Sequence, residues 1–111
     1  MASIIVTQEA IDYINEKRSK RSNIIIYRDV SGIIMSYTTR RLTFEPRVKL
    51  TDKEPNELFV IKDNSYGFPI WVERGLLPVL TKYDAVRITR KSFKRGLDLQ
   101  LGSGPNDDFN L

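Results

Sequence analysis

The chain contains no cysteine and no histidine. Without cysteine there are no disulfides, no thiolate-held iron–sulfur clusters, no cysteine nucleophiles and no thiol redox steps. Without histidine, serine triads lose their base, most zinc sites lose ligands, and acid–base catalysis near neutral pH loses its commonest agent. Carboxylate, lysine or tyrosine chemistry stays open in principle, but no pattern in the sequence brings such groups together. The expectation is a protein that is not an enzyme and needs no cofactor and no metal. Long hydrophobic runs are missing as well. No stretch nears the roughly 18 apolar residues that span a bilayer, and Ile4-Ile5-Val6 is too short for the core of a secretion signal. A cytoplasmic protein with no membrane partner is expected.

What is there suits a globular domain. The 111 residues are 41% hydrophobic, enough apolar material for a real core in a chain too short for two domains. Lysine and arginine number 18 against 14 aspartates and glutamates, giving a formal net charge of +4. A basic balance of that size serves solubility as readily as it serves an acidic partner, so the placement of the charges decides more than their sum.

Periodicity divides the chain into one helix and many strands. Ser3-Ile4-Ile5-Val6 reads as a first strand. Thr7 offers a capping hydroxyl, Glu9 suits the positive end of a helix dipole, and Ala10, Ile11, Tyr13 and Ile14 recur at helical spacing, so Gln8 to about Arg18 is an amphipathic helix. Strand signals follow in Asn23-Ile24-Ile25-Ile26-Tyr27 and Ile33-Ile34-Met35-Ser36-Tyr37, with a turn expected between them at Asp29-Val30-Ser31-Gly32. Leu42-Thr43-Phe44 and Arg47-Val48-Lys49-Leu50 flank Pro46, which points to an edge strand or a bulge. Leu58-Phe59-Val60-Ile61 and Pro69-Ile70-Trp71-Val72 bracket an Asx- and glycine-containing loop, a hairpin signal. Residues 75–80 are expected to form a helical turn that plugs the sheet. Ala85-Val86-Arg87-Ile88-Thr89 and Leu97-Asp98-Leu99-Gln100-Leu101 alternate cleanly as a last strand pair. The fold class is therefore α+β: a small, mixed but mostly antiparallel sheet with one N-terminal amphipathic helix. Residues 1–101 form the single domain, and residues 102–111 read as a flexible tail.

This order of elements resembles the HesB-like family, which includes the IscA-type iron–sulfur carriers and a smaller branch with a Cys-Cys or Cys-selenocysteine motif. The likeness rests on Ile5-Val6-Thr7-Gln8-Glu9-Ala10, Asp29-Val30-Ser31-Gly32-Ile33-Ile34, Phe44-Glu45-Pro46-Arg47-Val48-Lys49-Leu50, and Leu58-Phe59-Val60-Ile61 through Trp71-Val72. It implies a HesB-like topology. The functional centre departs from the family. Gly32 is followed by Ile33 and Ile34 where the small branch has its paired thiols, and residues 102–111 hold none of the C-terminal cysteines of the IscA type. No ligand carries over, so the resemblance implies a scaffold without cluster chemistry.

The functional candidates are basic. Arg87, Arg90, Lys91, Lys94 and Arg95 surround Phe93 in and beside the last hairpin loop. Such a loop can contact phosphates while its ring stacks on a base; equally, it can be a solvated loop whose Phe93 folds back on the core. Lys17, Arg18, Lys20 and Arg21 form a second cluster, either phosphate contacts or the ordinary cationic end of a helix. Arg40-Arg41 is a third pair, suited to solvent-facing strand ends. Tyr27, Tyr37 and Tyr66 offer a weak stacking surface, Trp71 reads as a core or half-buried ring, and Asp107-Asp108-Phe109-Asn110-Leu111 has the makings of a docking peptide. The partner expected is nucleic acid or an acidic protein surface, within a larger nucleoprotein or protein assembly. The first reading is a non-enzymatic nucleic-acid-binding module using the basic hairpin loop. The second is an accessory subunit, a thiol-free relative of the iron–sulfur carriers that binds no cluster.

Overall fold

The computed structural model describes residues 3–17, 23–35, 37, 40–92 and 96–102. Strand β1 (Ser3–Val6) turns Ile4 and Val6 inward and leaves Ile5 outside, as a period of two requires. Helix α1 (Gln8–Lys17) starts where Thr7 Oγ1 accepts the Ala10 N–H at 3.3 Å, and it buries Ala10, Tyr13 and Ile14 along one face. An isolated helix this short is marginal in water, so that apolar stripe holds it in place.

Seven strands divide between two sheets. In the first, β1 lies parallel to β6 (Ala85–Arg90), which pairs antiparallel with β7 (Leu97–Gly102). The second has the order β3-β2-β5-β4, built from β2 (Asn23–Met35), β3 (Arg40–Thr51), β4 (Phe59–Asp63) and β5 (Ile70–Glu73). The β2–β5 pair is parallel and the other two ladders are antiparallel. Strands β3 and β7 bring Cα atoms within 8 Å of each other. Sheets packed face to face stand about 10 Å apart, so these two strands meet edge to edge and the sheets wrap one core. A 3-10 turn (Arg74–Leu76) and α2 (Leu77–Leu80) plug that core with the fully buried Leu76 and Leu80, as expected for residues 75–80. The α+β character and dominance of strand hold, with the strands in two sheets instead of one.

A second sequence expectation fails within β2. Asp29-Val30-Ser31-Gly32 is not a turn, because β2 runs through it to Met35, paired with β3 over its whole length. The irregularity is a β-bulge: Val30 faces Phe44 and Gly32 faces Thr43, leaving Ser31 without a cross-strand partner. Asp, Ser and Gly favour turns locally, but a long antiparallel ladder outweighs that preference and absorbs the glycine as a bulge. Pro46 behaves as anticipated, opposite Arg28 on the edge strand β3.

Candidate nucleic-acid interface

The last turn of α1 and the last residue of β6 end beside each other. Val86 and Ile88 face the core, so the alternation of β6 places Arg90 on their side of the strand, toward α1, and Arg87 on the other. Arg90 reaches over the ring of Tyr13, with Cζ 5.3 Å from its centroid. Lys17, one helical turn beyond Tyr13, brings Nζ to 6.0 Å from the same centroid. Tyr13 is only 8% exposed, so its ring is a buried platform bearing two cations. Each contact contributes about 0.5–1 kcal/mol at an exposed site, and together they fix where the two charges stand.

One described member of each sequence cluster, Lys17 and Arg90, thus meets the other at the Tyr13 ring. The run containing Arg18, Lys20 and Arg21 begins directly after Lys17, and the run containing Phe93, Lys94 and Arg95 begins just past Arg90. Those six residues lie outside the described ones. Arg87 is half-buried on the outward side of the first sheet, between Ile5 of β1 and Gln100 of β7 in the ladder register. Lys91 closes the hairpin: its N–H donates to the Gly96 carbonyl at 3.1 Å, and its aliphatic chain runs 3.6 to 3.9 Å from where a Gly96 Cβ would sit. Gly96 has φ +123°, a conformation that favours glycine. Lys91 also borders a cavity of about 290 Å³ between this hairpin and the β2–β3 pair. There Arg47 already meets Asp29 at 2.6 Å and Glu45 at 3.3 Å, and Asp98 lies on the same wall. That wall is mixed in charge, so the cationic character concentrates at Lys17 and Arg90.

Other candidates are dispersed. Arg40 and Arg41 pair with Met35 and Ile34 at the far end of the long hairpin. Tyr66 points inward, its hydroxyl accepting the Val6 N–H at 3.2 Å, while Tyr37 is fully exposed and Tyr27 lies on the outer face of the second sheet beneath Lys49. The tyrosines therefore share no stacking surface. Trp71 is half-buried and donates its indole N–H to Asn23 Oδ1 at 2.9 Å. The docking peptide at residues 107–111 lies outside the described residues. Tyr13 is the residue that sequence reasoning missed as a functional one; its signal was the spacing to Lys17, which puts both on one helical face.

Among the described residues, no three aspartates or glutamates converge to hold a metal ion, and no helix is long and apolar enough to cross a membrane. Comparison with known protein families, with curated proteins and with solved structures finds no match.

Proposed function

We propose that this chain is a non-enzymatic nucleic-acid-binding module whose phosphate contacts centre on Lys17 and Arg90. The observation that supports it is the shared Tyr13 ring, which brings together Lys17 and Arg90, two cations far apart in sequence that each border a basic run. Arg18, Lys20 and Arg21 follow Lys17 in sequence, and Lys91, Phe93, Lys94 and Arg95 follow Arg90; these are the further phosphate contacts, and the stacking ring, that this reading calls for. Cations gathered on one face bind a polyanion by releasing its counterions, and each phosphate neutralised steepens the dependence on salt.

The test is a titration of the protein against single-stranded RNA, single-stranded DNA and duplex DNA of equal length at two salt concentrations. Lys17→Glu and Arg90→Glu are expected to weaken binding and flatten its salt dependence. Lys82→Glu makes the same charge change in the exposed loop leading into β6, at the opposite end of that strand, and should leave both nearly unchanged. Equal losses in all three variants, or no binding at low salt, would reduce the patch to ordinary solvated surface.

A second reading, a protein-interaction subunit, draws on the long β2–β3 hairpin. Its opposed residues Val30 and Phe44 are 61% and 42% exposed on the stretch beyond the rest of the sheet. A partner that stays bound through nuclease treatment and is lost with Val30→Ser would favour it. Kinship with the HesB-like family is likewise a proposal, supported by the order of strand, helix, strands and late hairpin. With no thiol in the chain, such a relative would not pass on a cluster.

A further inference from the structure

The outer face of the second sheet carries a separate cavity. Ile24 and Ile26 face the core, so Ile25 and Tyr27 face outward, beside Trp71 on β5 and Lys49 and Arg47 on β3. Strand β3 ends at Thr51, opposite the start of β2, on one edge of the sheet; β4 begins at Phe59, opposite Glu73, on the other. Residues 52–58 must therefore cross β2 and β5, and they do so over this outer face. Ile25 is only 5% exposed there, yet it belongs to no part of the central core, because the crossing segment covers it.

Between the segment and the sheet lies a cavity of about 340 Å³. Ile25, Tyr27, Phe59 and Pro55 give it an apolar lining, and Lys49, Lys53, Glu54 and Glu73 stand around it. Glu73 is already engaged by Arg28, through its guanidinium and its backbone N–H. That leaves Lys53, and Lys49 standing 4.9 Å over the Tyr27 ring, against Glu54 as the remaining carboxylate of the lining. Local hydrogen bonds shape the crossing segment, and Arg74, just past β5, ties down its far end. Thr51 Oγ1 accepts the Lys53 N–H at 3.3 Å, Asn56 Oδ1 accepts the Leu58 N–H at 2.9 Å, and Arg74 donates to the carbonyls of Leu58 and Glu57 at 2.8 and 3.0 Å. The cavity has the volume of a small ligand site.

We propose that this cavity binds a small aromatic anion, its planar ring against Ile25 and Phe59 beside Tyr27, and its anionic group at Lys53 and at Lys49 over the Tyr27 ring. Apolar floor and rings favour a flat hydrophobic body, and the surplus of lysine at the rim selects a negative head. The site lies on the other sheet from Lys17 and Arg90, and neither proposal depends on the other.

The test is a titration of the ¹⁵N-labelled full chain with naphthalene-2-carboxylate and, separately, with the uncharged naphthalene-2-methanol, followed by amide shifts. The carboxylate should give saturable shifts in residues 25–27, 49–59 and 73, and bind about fivefold more tightly than the alcohol. In Lys49→Met/Lys53→Met, which keeps the apolar stems at exposed positions, the carboxylate should lose that advantage while the alcohol is unaffected. Lys82→Met should change neither. Shifts that do not saturate, that fall elsewhere, or that are equal for the two probes would overturn the proposal.

Discussion

Glu73 holds Arg28 at two points: Oε1 accepts the Arg28 backbone N–H at 3.0 Å, and Oε2 accepts from the guanidinium at 2.5 Å. The parallel ladder of β2 and β5 runs through Ile26 and Val72, and then β5 leaves it for the 3-10 turn at Arg74–Leu76. Glu73's side chain takes up the next β2 amide, which the departing strand no longer reaches. The Glu73 side chain is 13% exposed and that of Arg28 48%, so solvent screens the pair in part. Glu73→Ala is expected to cost about 1–2 kcal/mol, with Glu73→Gln retaining part of it by accepting the backbone bond. Urea unfolding of the two variants checks this.

Gly75 lies against the same guanidinium. A Cβ there would sit 3.0 Å from Arg28 Cζ and 3.1 Å from one of its terminal nitrogens. Alanine in place of an ordinary glycine gains about 0.4–1 kcal/mol by restricting the unfolded chain, but here the methyl needs the guanidinium, which Glu73 holds, to give by a few tenths of an ångström. Gly75→Ala should therefore be neutral or destabilising in the wild-type background and stabilising in Arg28→Ala. A double-mutant cycle by thermal unfolding measures that coupling; additive effects would show that the guanidinium does not hold this position in solution.

Asn23, on the outer face of the second sheet, is the buried polar side chain among the described residues; its Oδ1 accepts from Trp71, and its Nδ2 has no hydrogen-bond partner among those residues. Trp71→Phe would leave both polar atoms of that amide unpaired and should cost about 1–3 kcal/mol. Adding Asn23→Val removes the stranded group and should recover most of the loss. Circular dichroism is the readout, since Trp71 is the single tryptophan. If the double variant is no more stable than Trp71→Phe, the lost packing of the indole, not the stranded amide, sets the cost.

The parts of the fold legible in the sequence are those fixed by neighbours along the chain. Thr7 capping the helix, the alternation of residues 85–89 and 97–101, and the hairpin around Gly67, whose φ is +91°, all depend on short-range chemistry. Ser31-Gly32 misled because their turn preference yields to a β3 partner more than ten residues away in sequence. The cavity over Ile25 was illegible for a related reason. Its floor combines β2, β3 and β4, its roof is a connection crossing the sheet, and none of that register can be read from residues 52–58 alone. At the basic end, the sequence supplied the charges and not their meeting point, which depends on where α1 packs against β6.

That meeting point yields a prediction separable from charge. Tyr13→Leu keeps every lysine and arginine, and it keeps an apolar, though shorter, side chain at a mostly buried position. It removes the ring over which Lys17 and Arg90 are held. If nucleic acid binds at this end through ordered cations, affinity should fall by up to about fivefold to thirtyfold, the equivalent of two cation–π contacts of about 0.5–1 kcal/mol each. The salt dependence should stay as steep as in the wild type, because the number of phosphates neutralised is unchanged. Lys17→Glu, by contrast, should reduce both affinity and slope. Fluorescence anisotropy of a labelled oligonucleotide across a salt series gives the two quantities together. A Tyr13→Leu protein with wild-type affinity would mean that the patch acts only as diffuse positive charge and that the platform under Lys17 and Arg90 has no part in recognition.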